Sequence, residues 1–274
     1  MFTRSIQRFA LLSLIFLTGY AWAQVPQQVE LKVWESYSHQ RDGFTQGLLW
    51  HEGELYESTG LYGKSSLRRV DLETGEVLQM ESVDASYFAE GLELVNDRLY
   101  QLTWKAGVVL VYDRESFQQI DQLTYEGEGW GLAYDGESLI MSNGTPILTF
   151  RDPATFAPVR QVVVRANGNA IKFLNELEYV DGFVYANVWQ THSIIKIDPR
   201  SGHVVAVVDA PNLLSEEERK GVDVLNGIAW NPEKERFYIT GKLWPKLFEV
   251  TFEDPALSIQ ADDSPTTPST TSSE

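Results

Sequence analysis

One arrangement recurs five times along the middle of this 274-residue chain and leaves few folds open. Each copy opens with a short segment carrying glycine or a polar residue: Phe44-Thr45-Gln46-Gly47-Leu48, Phe88-Ala89-Glu90-Gly91-Leu92, Gly129-Trp130-Gly131-Leu132, Leu174-Asn175-Glu176-Leu177 and Leu225-Asn226-Gly227-Ile228. A polar turn follows, as at Asn96-Asp97, Asp135-Gly136 and Asp181-Gly182, and then a second strand-like run such as Leu99 to Trp104 or Val184 to Trp189. In the first four copies a third run ends in a tight turn headed by Asp71, Asp113, Asp152 or Asp198, whose carboxylate can accept hydrogen bonds from the turn's own amides. A fourth run leaves each turn. Aligned on Gly47, Gly91, Gly131, Glu176 and Gly227, the copies begin 44, 40, 45 and 51 residues apart, the spacing of four-stranded propeller blades.

The expected fold is therefore all-β, a five-bladed β-propeller. The fifth copy stops after its third strand, Lys246 to Thr251, while an unassigned strand, Val29 to Tyr37, precedes the first copy. This N-terminal strand is expected to pair with the last blade and close the ring, which removes the edges that an open sheet would present. The longest interval contains Pro211 to Gly221, where Ser215 followed by Glu216-Glu217-Glu218 reads as an inserted helix with its N-cap. A β-sandwich or a pair of small barrels would not generate five aligned units.

The ends of the chain read differently. Arg4 and Arg8, the apolar run Phe9 to Tyr20 and Ala21-Trp22-Ala23 have the layout of a cleavable signal peptide over residues 1–23. The run is short of the roughly 20 residues that span a bilayer core, so an uncleaved anchor fits less well. Cleavage after Ala23 leaves Gln24 at the new terminus. Residues 24–257 hold the propeller, and 258–274, rich in Ser, Thr, Pro and acid, cannot bury enough apolar surface to order. A periplasmic or secreted protein, and a monomer, is expected. The chain has no cysteine, so burial and strand pairing must supply its stability and thiol chemistry is excluded. Its formal charge of −17 becomes more negative still once Arg4 and Arg8 leave, and such a surface repels nucleic acid and anionic lipid. No nucleic-acid partner is expected, and no membrane partner after signal cleavage.

In a propeller the first strands line the central axis, so equivalent positions converge on one mouth. Those positions are Gln46, Glu90, Trp130, Asn175 and Asn226, and the second strands end nearby at Gly60, Trp104, Asn143-Gly144, Trp189 and Lys242. One carboxylate, one ammonium, several carboxamides and three indoles could enclose a small amide-bearing group and stabilise charge on it. On residue type alone, Glu90 reads more readily as a buried acid bonded to backbone or to Lys242 than as a catalyst, and the tryptophans at least as readily as core.

The segments Phe44-Thr45-Gln46-Gly47, Phe88-Ala89-Glu90-Gly91, Leu174-Asn175-Glu176-Leu177, Ala186-Asn187-Val188-Trp189 and Leu225-Asn226-Gly227-Ile228 resemble the blade motifs of plant- and bacterial-type glutaminyl-peptide cyclotransferases. The resemblance runs from about His39 to Val250. It implies a five-bladed propeller that converts the N-terminal glutamine of peptides or proteins to pyroglutamate and releases ammonia. It also implies Glu90 as the catalytic residue, with a substrate pocket of Phe44, Gln46, Phe88, Trp104, Trp130, Asn175, Trp189 and Lys242.

On that basis the free α-amine attacks its own side-chain carboxamide, and Glu90 shuttles a proton to the departing nitrogen, helped by a pKa raised through burial. Lys242, Gln46 and Asn175 would polarise the amide oxygen, and the tryptophans would keep the ring closure desolvated. The four histidines, His39, His51, His192 and His203, lack paired ligand spacing with a carboxylate, so catalytic zinc is not expected and no cofactor is required. A structural Ca²⁺ on the axis, held mainly by backbone carbonyls, would leave little trace in a sequence and is compatible with this one. Two other functions stay open: a non-catalytic propeller that binds a peptide or sugar, and a six-bladed lactonase-like hydrolase, which needs one more blade and a metal-ligating set of Glu, Asn and Asp.

Overall fold

The computed structural model describes residues 25–253, and the expected signal peptide, Gln24 and the C-terminal tail lie outside them. The described residues are all-β. After β1 (Gln27–Ser38) come four strands, β2 (Thr45–His51), β3 (Glu54–Thr59), β4 (Ser66–Val70) and β5 (Val77–Ser82), which pair in sequence order as one antiparallel sheet. The same meander repeats in β6 (Ala89–Val95), β7 (Arg98–Thr103), β8 (Val108–Asp113) and β9 (Gln119–Thr124), and in β10 (Leu132–Tyr134), β11 (Leu139–Met141), β12 (Ile147–Arg151) and β13 (Pro158–Val163). A two-residue hairpin, β14 (Arg165–Ala166) with β15 (Asn169–Ala170), then leads to β16 (Leu174–Val180), β17 (Phe183–Val188), β18 (Ser193–Ile197) and β19 (Val204–Asp209). The last strands are β20 (Leu225–Asn231), β21 (Arg236–Gly241) and β22 (Lys246–Glu253).

The N-terminal strand lies antiparallel against β22, from Glu30 opposite Glu253 to Ser38 opposite Lys246, and gives the last unit its fourth strand. It has a second partner that sequence reasoning did not foresee. Gln27, Gln28 and Val29 run parallel to Ala206, Val207 and Val208 of β19, so β1 fuses the last two units into one eight-stranded sheet.

The turn chemistry follows from the aspartates. Asp71, Asp113 and Asp152 each accept the amide of the residue three positions on, Thr74, Ser116 and Thr155, at 2.8 to 2.9 Å, and Asp198 accepts from Arg200 N and Ser201 Oγ. The expected inserted helix does not form. Ser215 and Glu218 exchange the reciprocal bonds of a capping box, yet the segment makes only turns before Gly221. A single turn this short does not recover the cost of nucleation, and Arg219 binds back to Leu214 O and Asn212 instead.

Apolar side chains are buried between neighbouring sheets, in five layers. Leu49, Tyr56 and Leu67 of the first unit pack on Leu92, Leu99 and Leu110 of the second, and the other end of the cycle is joined by Leu48, Leu55 and Val70 against Ala229, Tyr238 and Leu247. The first strands touch in the order β2, β6, β10, β16, β20 and back to β2. At their upper ends the backbones approach too closely for side chains: a Cβ on Gly47 would meet Leu92 N at 2.4 Å, one on Gly91 would meet Leu132 N at 2.6 Å, and one on Gly131 would meet Asn175 O at 2.0 Å.

Candidate active site

The residues just before these tight contacts point into a common mouth, and the ladder shows why. In β2, β6, β16 and β20 the pairing with the second strand is broken between Thr45 and Gly47, Ala89 and Leu92, Leu174 and Leu177, and Leu225 and Ile228. A break of this kind releases residues from strict alternation and re-aims their side chains. The residues released are Gln46 alone in β2, Glu90 with Gly91 in β6, Asn175 with Glu176 in β16 and Asn226 with Gly227 in β20. The turns after the second strands are strained in the same neighbourhood, since Leu61, Gln190 and Leu243 all hold positive φ values, 87°, 65° and 61°.

The result is a cavity of about 220 Å³. Phe44, Phe88, Trp104, Trp130 and Trp189 wall it, and Gln46, Glu90, Asn175 and Lys242 supply its polar groups. Every residue singled out from the sequence as catalytic or substrate-binding therefore lines one hollow. The walls are locked edge to face: Phe44 on Phe88 at 6.1 Å, Phe88 on Trp104 at 5.6 Å and Trp130 on Trp189 at 5.6 Å between ring centres. The turn glycine Gly144 lies flat on the Trp130 ring, where a Cβ would come within 2.7 Å.

Glu90 is buried and accepts a hydrogen bond from Gln46 Nε2 at 3.1 Å. Burial holds its carboxyl well above the ordinary carboxylate range; the Lys242 charge pulls it down in part and the Glu128 charge pushes it up. Lys242, buried with its ammonium 5.0 Å from the centre of the Phe44 ring, is shifted the other way: burial lowers its pKa, and Glu90 and Asp223 offset this only in part. An acid raised and a base lowered within one cavity are both moved away from their ordinary charged states, the pattern of a site suited to proton transfer. Asn175 adds a buried Oδ1 with no hydrogen-bond partner among the described protein atoms, an acceptor open to a donor.

Three features differ from the sequence expectation. Asn226 does not line the cavity; its Nδ2 donates to Thr45 O at 3.0 Å and to Gln46 Oε1 at 3.3 Å, which leaves Gln46 Nε2 free to face Glu90. Asp223 does line it and was missed, because it sits in the insertion between repeats where no alignment could reach it. Glu128, from a glycine-rich stretch that carries no phosphate-loop spacing, accepts the indole N–H groups of both Trp104, at 2.8 Å, and Trp130, at 3.1 Å. Two tryptophans flanking one acidic residue in neighbouring repeats was the available signal. Among the described residues no group of three His, Asp or Glu side chains is placed to hold a metal ion.

Comparison with known proteins agrees with the motifs. The chain is 43% identical over 226 residues to a glutaminyl-peptide cyclotransferase of Arabidopsis thaliana, covering 81% of this chain and 71% of that protein. Its structure superposes on the crystal structure of Myxococcus xanthus glutaminyl cyclase with a TM-score of 0.76 and 39% identity, covering 83% of this chain and 98% of the other. Residues 9–252 match the family described as glutamine cyclotransferase, and with nearly the whole described chain inside that match, the protein belongs to the glutamine cyclotransferase family.

Proposed function

We propose that this protein is a glutaminyl-peptide cyclotransferase that closes the N-terminal glutamine of peptides or proteins into pyroglutamate, with Glu90 as the proton shuttle. The observation that carries the reading is a buried carboxyl lining an aromatic cavity together with a buried ammonium, and burial pushes that carboxyl above the ordinary range. Membership of the family supports the reaction, and the fold is read as five blades around one axis, with β1 as the outer strand of the last. An exported protein with a cleaved leader suits substrates whose glutamine is exposed by processing.

The steps balance within the substrate and one side chain. The α-amine nitrogen bonds to the γ-carboxamide carbon, and the Glu90 carboxylate takes the proton that this nitrogen sheds. The C–N bond to the old amide nitrogen then breaks as Glu90 returns the proton to it, and ammonia leaves with the carboxylate regenerated. Lys242 and the carboxamide of Gln46 stabilise negative charge on the amide oxygen. Asn175 Oδ1 accepts from the substrate's N–H groups and thereby gains the partner it lacks. The five aromatic rings exclude water and hold the amine over the carbonyl carbon, a geometry worth several kcal/mol of barrier.

No step calls on a metal. Purified protein with a Gln-initiated dipeptide amide is expected to release one ammonia per peptide, with the matching mass loss, at the same rate with and without EDTA. A folded protein that binds the peptide and leaves it intact would return the reading to a binding module, and a rate abolished by EDTA would replace the proton-shuttle mechanism.

A further inference from the structure

The cavity has a neighbour on the same face. Asp223, which lines it, also lines a second cavity of about 220 Å³ walled by Leu213, Leu214, Val222 and Trp244 and edged by His192 and Arg219. This hollow is built from the insertion that interrupts the repeat, between the outermost strand of one unit, β19, and the innermost strand of the next, β20. Its walls are fixed from behind. Trp244 Nε1 donates to Asp223 O at 2.9 Å, and its indole lies on Gly241, where any Cβ would meet the ring at 2.3 Å. Arg219 is tied to Leu214 O at 3.0 Å and to Asn212 Oδ1 at 2.7 Å, so its guanidinium is held by the insertion itself. The partition between the hollows is bonded to the catalytic side: Asp223 N donates to Lys242 O at 2.9 Å, and Lys242 N donates to Val224 O at 3.0 Å.

We propose that this second cavity is the subsite for the residue after the N-terminal glutamine, and that it selects an apolar side chain there. The proposal rests on the cyclotransferase reading, because it takes a glutaminyl peptide as the occupant of the first cavity. A peptide held with its glutamine beside Glu90 must leave through the mouth, and its next Cα lies about 3.8 Å on, at the partition. A side chain of leucine or phenylalanine size finds preformed apolar walls there. An acidic side chain meets Asp223 before it reaches Arg219 and is disfavoured.

The test is kcat/KM for Gln-X amides, with X as Gly, Leu, Phe and Glu, read as ammonia release by the wild-type protein and by Leu213→Ser and Val222→Ser. In the wild type, Gln-Leu and Gln-Phe are expected to exceed Gln-Gly by about tenfold, with Gln-Glu no better than Gln-Gly. In both variants the Leu-to-Gly ratio is expected to fall toward one. That ratio is taken within one preparation, so any loss of folded protein cancels. Equal kcat/KM across the wild-type series, or variants that keep the full ratio, would overturn the subsite and leave the activity standing. No ammonia from any peptide would overturn the activity and the subsite with it.

Discussion

At the mouth, Glu90 shares a cavity of about 220 Å³ with Lys242, Gln46 and five aromatic rings; toward the other end of the same strands, Glu93 and Glu178 line a wider hollow of about 470 Å³ beside Leu49, Trp50, Tyr134 and Trp230. Glu176 is buried between them. All four carboxyls are held above the ordinary range, in every case chiefly by burial, and Glu178 is pushed further by the charges of Glu93 and Glu176. A raised pKa therefore does not distinguish the two ends. Their partners do. Glu93 Oε1 accepts the amide of its own neighbour Leu94 at 2.6 Å, and Glu176 spans two other units by accepting Leu48 N at 3.3 Å and Ile228 N at 2.8 Å. Those oxygens are committed to backbone. Glu90 accepts from one carboxamide and faces a cavity that a guest can enter, with an ammonium across it.

That contrast can be strained at several points. Lys242→Met is expected to lower kcat/KM by about 10²-fold with little change in thermal midpoint, because on the proposed mechanism it removes the charge that stabilises the oxyanion and leaves the methylene packing in place. Glu176→Leu is expected to do the opposite: unfolding in urea should show a loss of about 3 kcal/mol from two stranded backbone N–H groups, while the folded protein keeps an activity of the same order.

The far-end acids also set a pH trend. In the folded state they retain protons that the unfolded chain has already lost, so stability falls as pH rises past about 4.3, and the loss continues until the raised folded values are reached. Glu178→Gln removes one such group, so urea melts between about pH 5 and pH 8 should show a shallower decline than the wild type. Glu128→Gln is expected to have the smallest effect. The amide oxygen can still accept from the Trp104 and Trp130 indoles, more weakly without the charge, which should cost at most about fivefold in kcat/KM, and losing a charge that raises Glu90 should move the acid limb of the pH–rate profile to lower pH.

Much of the site was legible because it repeats. Gln46, Glu90, Trp130 and Asn175 occupy one position in successive units, and any arrangement that brings the first strands together brings these residues together. Asn226 holds the same position and still points elsewhere, since its amide is taken up by Thr45 O and Gln46. Repeat position assigns a residue to the axis but does not settle its rotamer. Asp223 and the second cavity were invisible because the insertion has no counterpart in other units, and its Ser-Glu-Glu-Glu start mimicked a helix that tertiary bonding from Arg219 replaced. The parallel pairing of Gln27 to Val29 with β19 left no signal either, for a parallel partner adds no turn and no alternation of its own.

On the proposed function, Glu90 alone among these buried carboxyls does chemistry and the others hold structure. The direct measurement is ammonia release from a Gln-initiated dipeptide amide by Glu90→Gln and Glu178→Gln side by side, each verified as folded by its thermal melt. Loss of about 10³-fold in kcat/KM for Glu90→Gln, with Glu178→Gln near wild type, is the result expected. Full activity in folded Glu90→Gln, or an equal loss in both variants, would contradict it.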